Sequence, residues 1–239
     1  VLYYTSGITG SGRVVRGISI ASAFRRAGVV CDFTILHSSR FGFLADGHAR
    51  HIEIPIEDDM AHTRENFETS VLYKRLLECD PDVLIVDLMW FPLYNFIREL
   101  RCTKIFLHTQ IADRRFFTME SPDGTRVFTP AHFDLLLQAE PLPVDIGAKM
   151  INPIIIRNPD EILPSETALK KLGIENPQGK TCLFAYNGEP GEYEFIRNKY
   201  SYLEDNGYRM LYSTNYAGKG YFPIVDYFNA LDFIISGAG

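Results

Sequence analysis

The sequence predicts an α/β fold with two doubly wound parallel sheets, one in each of two domains. Strand-like and helix-like segments alternate along the chain, which is typical of parallel sheets covered by helices on both faces. In each half a strand runs into a glycine-bearing turn and then a helix, at 5–13 and at 187–191. The proline-rich segment 152–159 lies between the halves. We therefore expect two Rossmann-like domains, residues 1–152 and 153–239.

The first domain has the stronger strand signals. Residues 83–86 are continuously apolar, as expected for a strand that is covered on both faces. Residues 109–129 are polar and irregular, and they predict a long loop or a hairpin. Strands are predicted at 1–4, 29–36, 52–54, 83–86, 104–107, 133–138 and 143–146, and helical spacing indicates helices at 14–26, 59–79 and 93–100.

The second domain repeats the pattern with fewer units. Ser165 is a suitable N-cap for a helix that ends before Gly173. Strands are predicted at 181–186, 208–213 and 233–236, and helices at 192–206 and 224–231. The last strand ends in a glycine turn, which normally leads into a helix, so we expect this domain to be incomplete. The chain also starts with Val1 inside a predicted strand, which suggests that native residues precede it.

The composition is that of an ordinary globular protein. Hydrophobic residues make up 46% of the chain and charged residues 23%. The net charge of −6 argues against general nucleic-acid binding, because affinity for phosphate backbones needs clustered Lys and Arg. No apolar run is long enough to span a bilayer. The four cysteines are scattered, which predicts buried free thiols in a reducing, cytoplasmic compartment: Cys31, Cys79, Cys102 and Cys182.

The first glycine turn is the clearest candidate for ligand binding. Gly7, Gly10 and Gly12 permit a close approach to the main chain, and the turn lies at the start of a helix. Free N–H groups and the helix dipole favour an anion there, so a ligand with phosphate or several hydroxyls is one interpretation. A tight strand-to-helix turn without a ligand is the other. The spacing matches neither the dinucleotide fingerprint nor a P-loop.

Several short motifs resemble the two-domain GT-B glycosyltransferases, above all the peptidoglycan N-acetylglucosaminyltransferase and related UDP-sugar enzymes. The strand–loop–helix at 3–26 is similar to their opening element. The last segment, NALDFIISGAG at 229–239, is similar to a donor-side motif of the family, and the turn at 186–191 stands where the family has a Gly-Gly-Ser phosphate turn. The segments PDVLIVD at 81–87 and KIFLHTQ at 104–110 resemble two further strands of these enzymes.

This resemblance implies transfer of a sugar from a nucleotide-sugar donor, in particular a UDP-sugar, to an unknown acceptor. The first domain would then bind the acceptor and the second the donor. Neither a cofactor nor a metal is expected, because a helix N-terminus and an Arg would take the place of a divalent ion at the diphosphate. The family usually has a His after the first glycines, where this chain has Arg13, and the chain ends before the family's Ser/Thr and Glu. The candidate donor and phosphate contacts are Gly10, Gly12, Asn187, Gly188, Gly191, Thr214, Ile224, Gly237 and Gly239.

Three residues are candidates for catalysis. Arg13, at the start of the first helix, would reach a donor phosphate or an acidic acceptor, or else lie on the surface. Asp87 ends a strand at the carboxyl edge, where ligands of α/β sheets bind, and it is either a general base or the cap of a turn. His108 ends the next strand, and it either lines the acceptor site or is a hydrogen-bonded structural residue. His37 is equally ambiguous. No role is assigned to His48, His51, His62 and His132.

Other functions remain open at this stage. A GT-B-like UDP-sugar 2-epimerase would share the fold and the donor. A nucleotide-sugar-binding subunit that a partner chain completes would share the donor site without catalysis. For Ile224, core packing is the alternative to a contact with the donor base. The acceptor class (a sugar, a lipid or a small molecule), peripheral association with a membrane and a homo-oligomeric state are also left open by the sequence.

Overall fold

The computed structural model describes residues 1–7, 11–111, 113–175, 179–186, 190–214 and 220–236. The chain divides into two compact units, Val1–Ile156 and Arg157–Gly239, each with its own parallel sheet. The α/β class with parallel sheets predicted from the sequence is therefore confirmed.

The first unit is built on a seven-stranded sheet with the strand order β3-β2-β1-β4-β5-β8-β9, and every pair in it is parallel. The remaining two strands form an antiparallel hairpin. The strands are β1 (Leu2–Thr5), β2 (Thr34–His37), β3 (Arg50–Glu53), β4 (Val83–Asp87), β5 (Thr103–His108), β6 (Thr118–Ser121), β7 (Gly124–Val127), β8 (Leu135–Gln138) and β9 (Lys149–Met150). Because the seven sheet strands run in the same direction, their carboxyl ends form one edge.

Helix α1 (Gly12–Arg26) packs closely against the sheet. A Cβ atom at Gly17 would lie 2.9 Å from the ring of Tyr3, so the missing side chain lets the helix approach β1. The predicted strand 29–36 begins only at Thr34, where pairing with Leu2 of β1 starts. Consequently Val30 is fully exposed and Cys31 is exposed as well, contrary to expectation. All four cysteines are free, but only Cys182 is buried, and burial raises its pKa to about 11.

Two predicted helices of the first unit are shorter or absent. The segment 59–79 forms the 3₁₀-helices Asp59–His62 and Phe67–Thr69, and then helix α2 (Val71–Cys79). Helix α2 begins at this point because Ser70 Oγ accepts the N–H of Tyr73. The segment 93–100 forms turns that follow a short 3₁₀-helix, Phe91–Leu93. Apolar spacing predicted both helices, but it does not distinguish an α-helix from packed turns.

The polar segment 109–129 contains the 3₁₀-helix Arg114–Phe117 followed by the β6–β7 hairpin. Its turn contains Gly124 at φ +115°, a conformation that favours glycine. The predicted strand 143–146 is not formed, and the last strand of the sheet is Lys149–Met150 instead.

An aromatic-rich core lies on one face of this sheet. Trp90 is 3% exposed, and its Nε1–H donates to the Phe116 carbonyl oxygen at 3.3 Å. Phe128 meets the Trp90 ring edge to face, with ring centroids 5.7 Å apart, and it also packs against Phe106 at 4.6 Å. Contacts among these aromatic side chains thus join the hairpin to the turns after β4 and to strand β5.

The second unit has a three-stranded parallel sheet with the order β11-β10-β12. Tyr193 and Tyr200, from the helix that follows the buried strand β10, pack against Phe184 of that strand. The predicted helix 192–206 is interrupted at Ser201. Among the residues described, no helix of either unit is long and apolar enough to cross a membrane. The elements are α3 (Ser165–Lys171), β10 (Thr181–Ala185), α4 (Pro190–Tyr200), α5 (Tyr202–Asp205), β11 (Arg209–Ser213), a 3₁₀-helix (Ile224–Ala230) and β12 (Phe233–Ser236).

Candidate functional site

A cavity of about 240 Å³ lies at the carboxyl edge of the first unit's sheet. Its walls come from the segments that follow β1, β2, β3 and β4, together with one residue of β1 and one of α2. This is the edge at which ligands of open α/β sheets bind. The cavity is lined by Tyr4, Ser6, Gly7, Ser38, Ile54, Pro55, Ile56, Glu57, Asp59, His62, Leu72, Met89, Phe91 and Pro92. Hydroxyl, carboxylate and imidazole groups therefore lie among apolar side chains, a lining that suits a hydroxylated ligand.

Two serines connect the ends of β1 and β2 on one side of the cavity. The Oγ atoms of Ser6 and Ser38 are 2.8 Å apart, and the Gly7 N–H donates to Ser38 Oγ at 3.2 Å. The guanidinium of Arg13 folds back from the first turn of α1 and donates to the Ser6 carbonyl oxygen. Arg13 is half-buried. The structure thus places this predicted residue beside the first glycine turn, with its charge near the cavity.

The hydroxyl of Tyr4 and the carboxylate of Glu57 contribute further polar groups. Tyr4 is 2% exposed, and burial, followed by the charge of Glu57, raises its pKa above the usual value. Tyr4 therefore keeps its phenolic proton at neutral pH. The two carboxylate oxygens of Glu57 accept the N–H groups of Val71 and Leu72 at 2.7 and 3.0 Å. Glu57 thus stabilises the start of α2, where a negative charge is favourable.

His62, for which the sequence indicates no role, lines the same cavity. Its ring is almost completely buried, and its Nδ1 atom has no hydrogen-bond partner among the residues that the structure describes. Burial, assisted by the charge of Arg126, lowers the pKa of His62, although Glu57 and Asp59 oppose this. The imidazole is consequently neutral at neutral pH, and one ring nitrogen has a free lone pair.

The backbone of His62 is held by the β6–β7 hairpin and by the turns after β4. Its carbonyl oxygen accepts hydrogen bonds from Asn95 Nδ2 at 2.8 Å and from Arg126 Nη2 at 3.0 Å. Asp123 binds both donors, through Oδ2 to Asn95 at 3.0 Å and through Oδ1 to Arg126 at 2.9 Å. A polar cavity of about 530 Å³ lies on this side of the segment, and Asn95, Asp123 and Arg126 line it.

Asp87, predicted as a base or a cap, is completely buried. Its Oδ2 accepts a hydrogen bond from Arg16 Nη1 at 2.6 Å and another from the Tyr3 hydroxyl, and its Oδ1 accepts from Thr109 Oγ1 at 3.2 Å. Burial raises the pKa of Tyr3 far above its usual value, so Tyr3 remains a hydrogen-bond donor. Both oxygens of the Asp87 carboxylate thus accept hydrogen bonds from within the fold, and the carboxylate lies between β1, β4 and α1.

His108 is also completely buried, next to Asp87 in the sheet but without contact to the cavity. Its Nε2 hydrogen bonds with the Ile111 carbonyl oxygen at 3.0 Å, and its ring lies edge to face against Phe117. Burial lowers its pKa. His37 has a similar environment: its Nδ1 accepts the Ser39 N–H, and its Nε2 lies 3.1 Å from His51 Nδ1.

The candidate donor contacts are only partly described. Gly12 is the first residue of α1, and Gly191 lies in the first turn of α4; a Cβ at either would meet no atom within 4 Å. Thr214 follows β11 at the carboxyl edge of the second sheet. Ile224 starts a 3₁₀-helix and is half-buried. Gly10, Asn187, Gly188, Gly237 and Gly239 lie outside the described residues.

Sequence reasoning missed two residues, Arg16 and His62. Arg16 lies one turn after Arg13 and pairs with a residue 71 positions away, which no local pattern indicates. His62 has no recognisable spacing to another functional side chain. Among the residues that the structure describes, no group of three or more His, Cys, Asp or Glu side chains is arranged to hold a metal ion.

No protein-family model and no curated protein matches the sequence. The structure is similar to solved structures of glycosyltransferases. Against SsfS6 from Streptomyces sp. SF2575 the TM-score is 0.54 at 12% identity, covering 98% of this chain and 75% of that one. Against a glycosyltransferase from Rickettsia africae ESF-5 the TM-score is 0.57 at 10% identity, with 98% and 72% covered. Similarity at these identities establishes a common fold.

Proposed function

Because this chain has the fold of glycosyltransferases, we propose that it transfers a sugar from a nucleotide-sugar donor to an acceptor hydroxyl. The shared fold over 98% of the chain carries the proposal. It is supported by a cavity at the sheet edge where α/β proteins bind ligands, lined by hydroxyl and carboxylate groups. Because one fold can host many reactions, the proposal also depends on the residues of the candidate site.

In this proposal the acceptor binds to the first unit, in the cavity near Tyr4, Ser6 and Ser38. Hydroxyls and carboxylates hydrogen-bond acceptor hydroxyl groups, while Phe91 and Leu72 cover apolar ring faces. Arg13 is proposed to attract the anionic part of a ligand, since its guanidinium lies at the glycine turn. Asp87 and His108 are proposed to support the sheet edge, because both are wholly buried and hydrogen-bonded within the fold.

The donor is proposed to bind at the carboxyl edge of the second sheet, with its diphosphate near the first turn of α4. Backbone N–H groups and the helix dipole favour an anion at such a helix start. Gly191 lies in that turn and is exposed, and Thr214 follows the neighbouring strand β11. A UDP-sugar is the proposed donor class.

Calorimetric titration of the full-length protein with UDP, UDP-N-acetylglucosamine and other nucleotide sugars tests this proposal, followed by assays of nucleotide release. We expect at least one nucleotide sugar to bind, and nucleotide release to increase when an acceptor is present. Conversion of the donor sugar into its 2-epimer would instead indicate an epimerase. Binding without turnover would indicate a non-catalytic subunit, and absence of binding by every nucleotide sugar would refute the donor assignment.

Gly191→Ala provides a sharper test of the donor site. A Cβ atom there meets no protein atom within 4 Å, so the variant is expected to fold and to unfold with unchanged or slightly higher stability. If the diphosphate lies against this backbone, the methyl group will weaken donor binding by about tenfold, or about 1.4 kcal/mol. Gly12→Ala, equally free of contacts, tests the other candidate donor contact, at the first glycine turn, and should leave donor affinity unchanged if the diphosphate lies at α4. Equal donor affinities in both variants would contradict this placement.

A further inference from the structure

The acceptor reaction needs a group that removes the hydroxyl proton, and the cavity offers few candidates. Tyr4 is protonated, and the carboxylate of Glu57 is occupied by two backbone N–H groups. Asp59 also lines the cavity, but it is exposed to solvent, where a carboxylate is a weak base. Asp87 and His108 do not line the cavity. His62 does line it, and its ring has a nitrogen without a hydrogen-bond partner in the described part of the chain. A neutral imidazole of this kind is a typical general base.

We propose that His62 is the general base that activates the acceptor, an inference that rests on the proposed function. The imidazole takes the proton of the acceptor hydroxyl, and that oxygen forms a bond to C1 of the donor sugar. The bond between C1 and the phosphate oxygen breaks, and the nucleoside diphosphate leaves with the electron pair. Atoms and charges balance without a metal or redox partner, and the proton passes from His62 to solvent after the transfer.

The hairpin supports this role by fixing the base. Asn95 and Arg126 both donate to the His62 carbonyl oxygen, and Asp123 holds both donors. Arg126 is 3% exposed, so its hydrogen bond to the His62 carbonyl oxygen is shielded from solvent. We assign Asn95, Asp123 and Arg126 as positioning residues: the first and last bind the backbone of His62, Asp123 holds both of them, and none of the three lines the cavity at β1–β4. A general base is effective only when it lies within hydrogen-bond reach of the proton.

The charges around His62 affect its pKa and therefore the pH below which kcat falls. The groups that act on it are Glu57, Asp58 and Asp59, which favour the protonated ring, and Arg126, which opposes it. Burial is the largest effect and lowers the pKa below the usual value of 6.5. The base form therefore persists into weakly acidic solution, and kcat is expected to fall only below that value. Loss of the Arg126 charge should raise the pKa of His62. The low-pH limb of the kcat profile, where kcat falls, should then move to higher pH.

The experiment uses the full-length protein with the nucleotide sugar that binds best in calorimetry, and it follows nucleotide release with water or added sugars as acceptors. His62→Ala should lower kcat by about 10²- to 10⁴-fold with little change in the KM for the donor. Free imidazole should restore activity about tenfold or more, because it fits the space left by the ring. His132→Ala, which also removes the last residue of a short 3₁₀-helix, is the matched control and should remain within about twofold of the wild type.

A second measurement does not depend on whether this variant folds. The pKa of the His62 ring, obtained by NMR of histidine-labelled protein, should coincide with the low-pH limb of kcat. Arg126→Gln should raise both together, whereas a purely structural role would lower kcat without moving the limb. Turnover of His62→Ala near the wild-type level, or a limb that does not follow the NMR titration, overturns the base role and leaves sugar transfer intact. Absence of donor binding and turnover in the wild type overturns the proposed function, and the base role with it.

Discussion

Asp87 illustrates how a single buried charge is stabilised in this fold. Its carboxylate is completely buried and is bound by Arg16, Tyr3 and Thr109. The Arg16 side chain is only 10% exposed, so neither charge of the pair is well hydrated. Removing one member of such a pair is costly because the other charge stays buried without compensation.

Asp87→Asn is therefore expected to destabilise the protein by about 3–5 kcal/mol, since it leaves the Arg16 guanidinium without its counter-ion. Tyr3→Phe removes one hydrogen bond to the same carboxylate but keeps the ion pair, and it should cost about 1 kcal/mol. Urea denaturation of both variants measures the difference. A loss in Asp87→Asn no larger than that in Tyr3→Phe would show that the ion pair does not stabilise the fold.

The residue scale also shows where sequence reasoning reaches its limit. The strand ends at Asp87 and His108 were predictable, because apolar runs that end in a polar residue are a local signal. Their burial was not, since it depends on Arg16, Thr109 and Phe117 from other elements. His62 carries no local signal because its surroundings come from four separate segments. Site residues defined by tertiary contacts cannot be derived from spacing alone.

At the scale of elements, polar contacts of its turn bind the β6–β7 hairpin to neighbouring segments of the first unit. Asp123 accepts hydrogen bonds from Ser121, Arg126, Asn95 and the Arg64 N–H at 2.8–3.0 Å. Burial alone would raise the pKa of Asp123, but these hydrogen bonds outweigh it and hold the pKa well below the usual value. The lowered pKa means that this stabilisation is present above about pH 4 and is lost as the pH falls below it.

Asp123→Asn is predicted to loosen the hairpin and to destabilise the first unit by about 1.5–3 kcal/mol, since it weakens charge-assisted hydrogen bonds. Amide hydrogen exchange should become faster in residues 118–127 and in the neighbouring segment 62–66. Asp113→Asn, which removes an exposed carboxylate paired with Arg115, is the control and should have no measurable effect. Unchanged hydrogen exchange in Asp123→Asn would contradict the role of Asp123 in stabilising the hairpin.

The sequence predicted most strands within a few residues but was less accurate for helices of the first unit. Continuous apolar runs defined β4 and β5, because strands covered on both faces need them. The predicted helix 59–79 is α-helical only in α2, and the one at 93–100 is absent, since the apolar residues outside α2 face the aromatic core from turns and 3₁₀-helices. Apolar periodicity reports which side chains are buried, and the backbone conformation that buries them is a separate question.

At the scale of the whole molecule, the titratable groups are distributed unequally. All six histidines lie between His37 and His132, and hence in the first unit. Burial lowers the pKa of His37, His62, His108 and His132. A group whose pKa is lower in the folded state takes up a proton on unfolding, so stability decreases as the pH falls below 6.5.

We therefore expect the first unit to lose stability between about pH 7 and pH 5, while the second, without histidine, changes little. Hydrogen exchange of the full-length protein, corrected for intrinsic rates, measures both units in one sample. Protection of the central strands β1 and β4 should fall with pH, and protection of β10 should not. Parallel losses in β10 would mean that the histidines are not the cause.

The position of Trp90 makes the two units spectroscopically distinguishable. It is the single tryptophan of the chain, it is buried in the aromatic core beside Phe128, and both belong to the first unit. Fluorescence excited at the red edge of indole absorption therefore reports the unfolding of that unit alone, whereas far-ultraviolet circular dichroism records the helices and strands of both. Coincident curves would indicate a cooperative transition, and separate curves would show that each unit unfolds on its own.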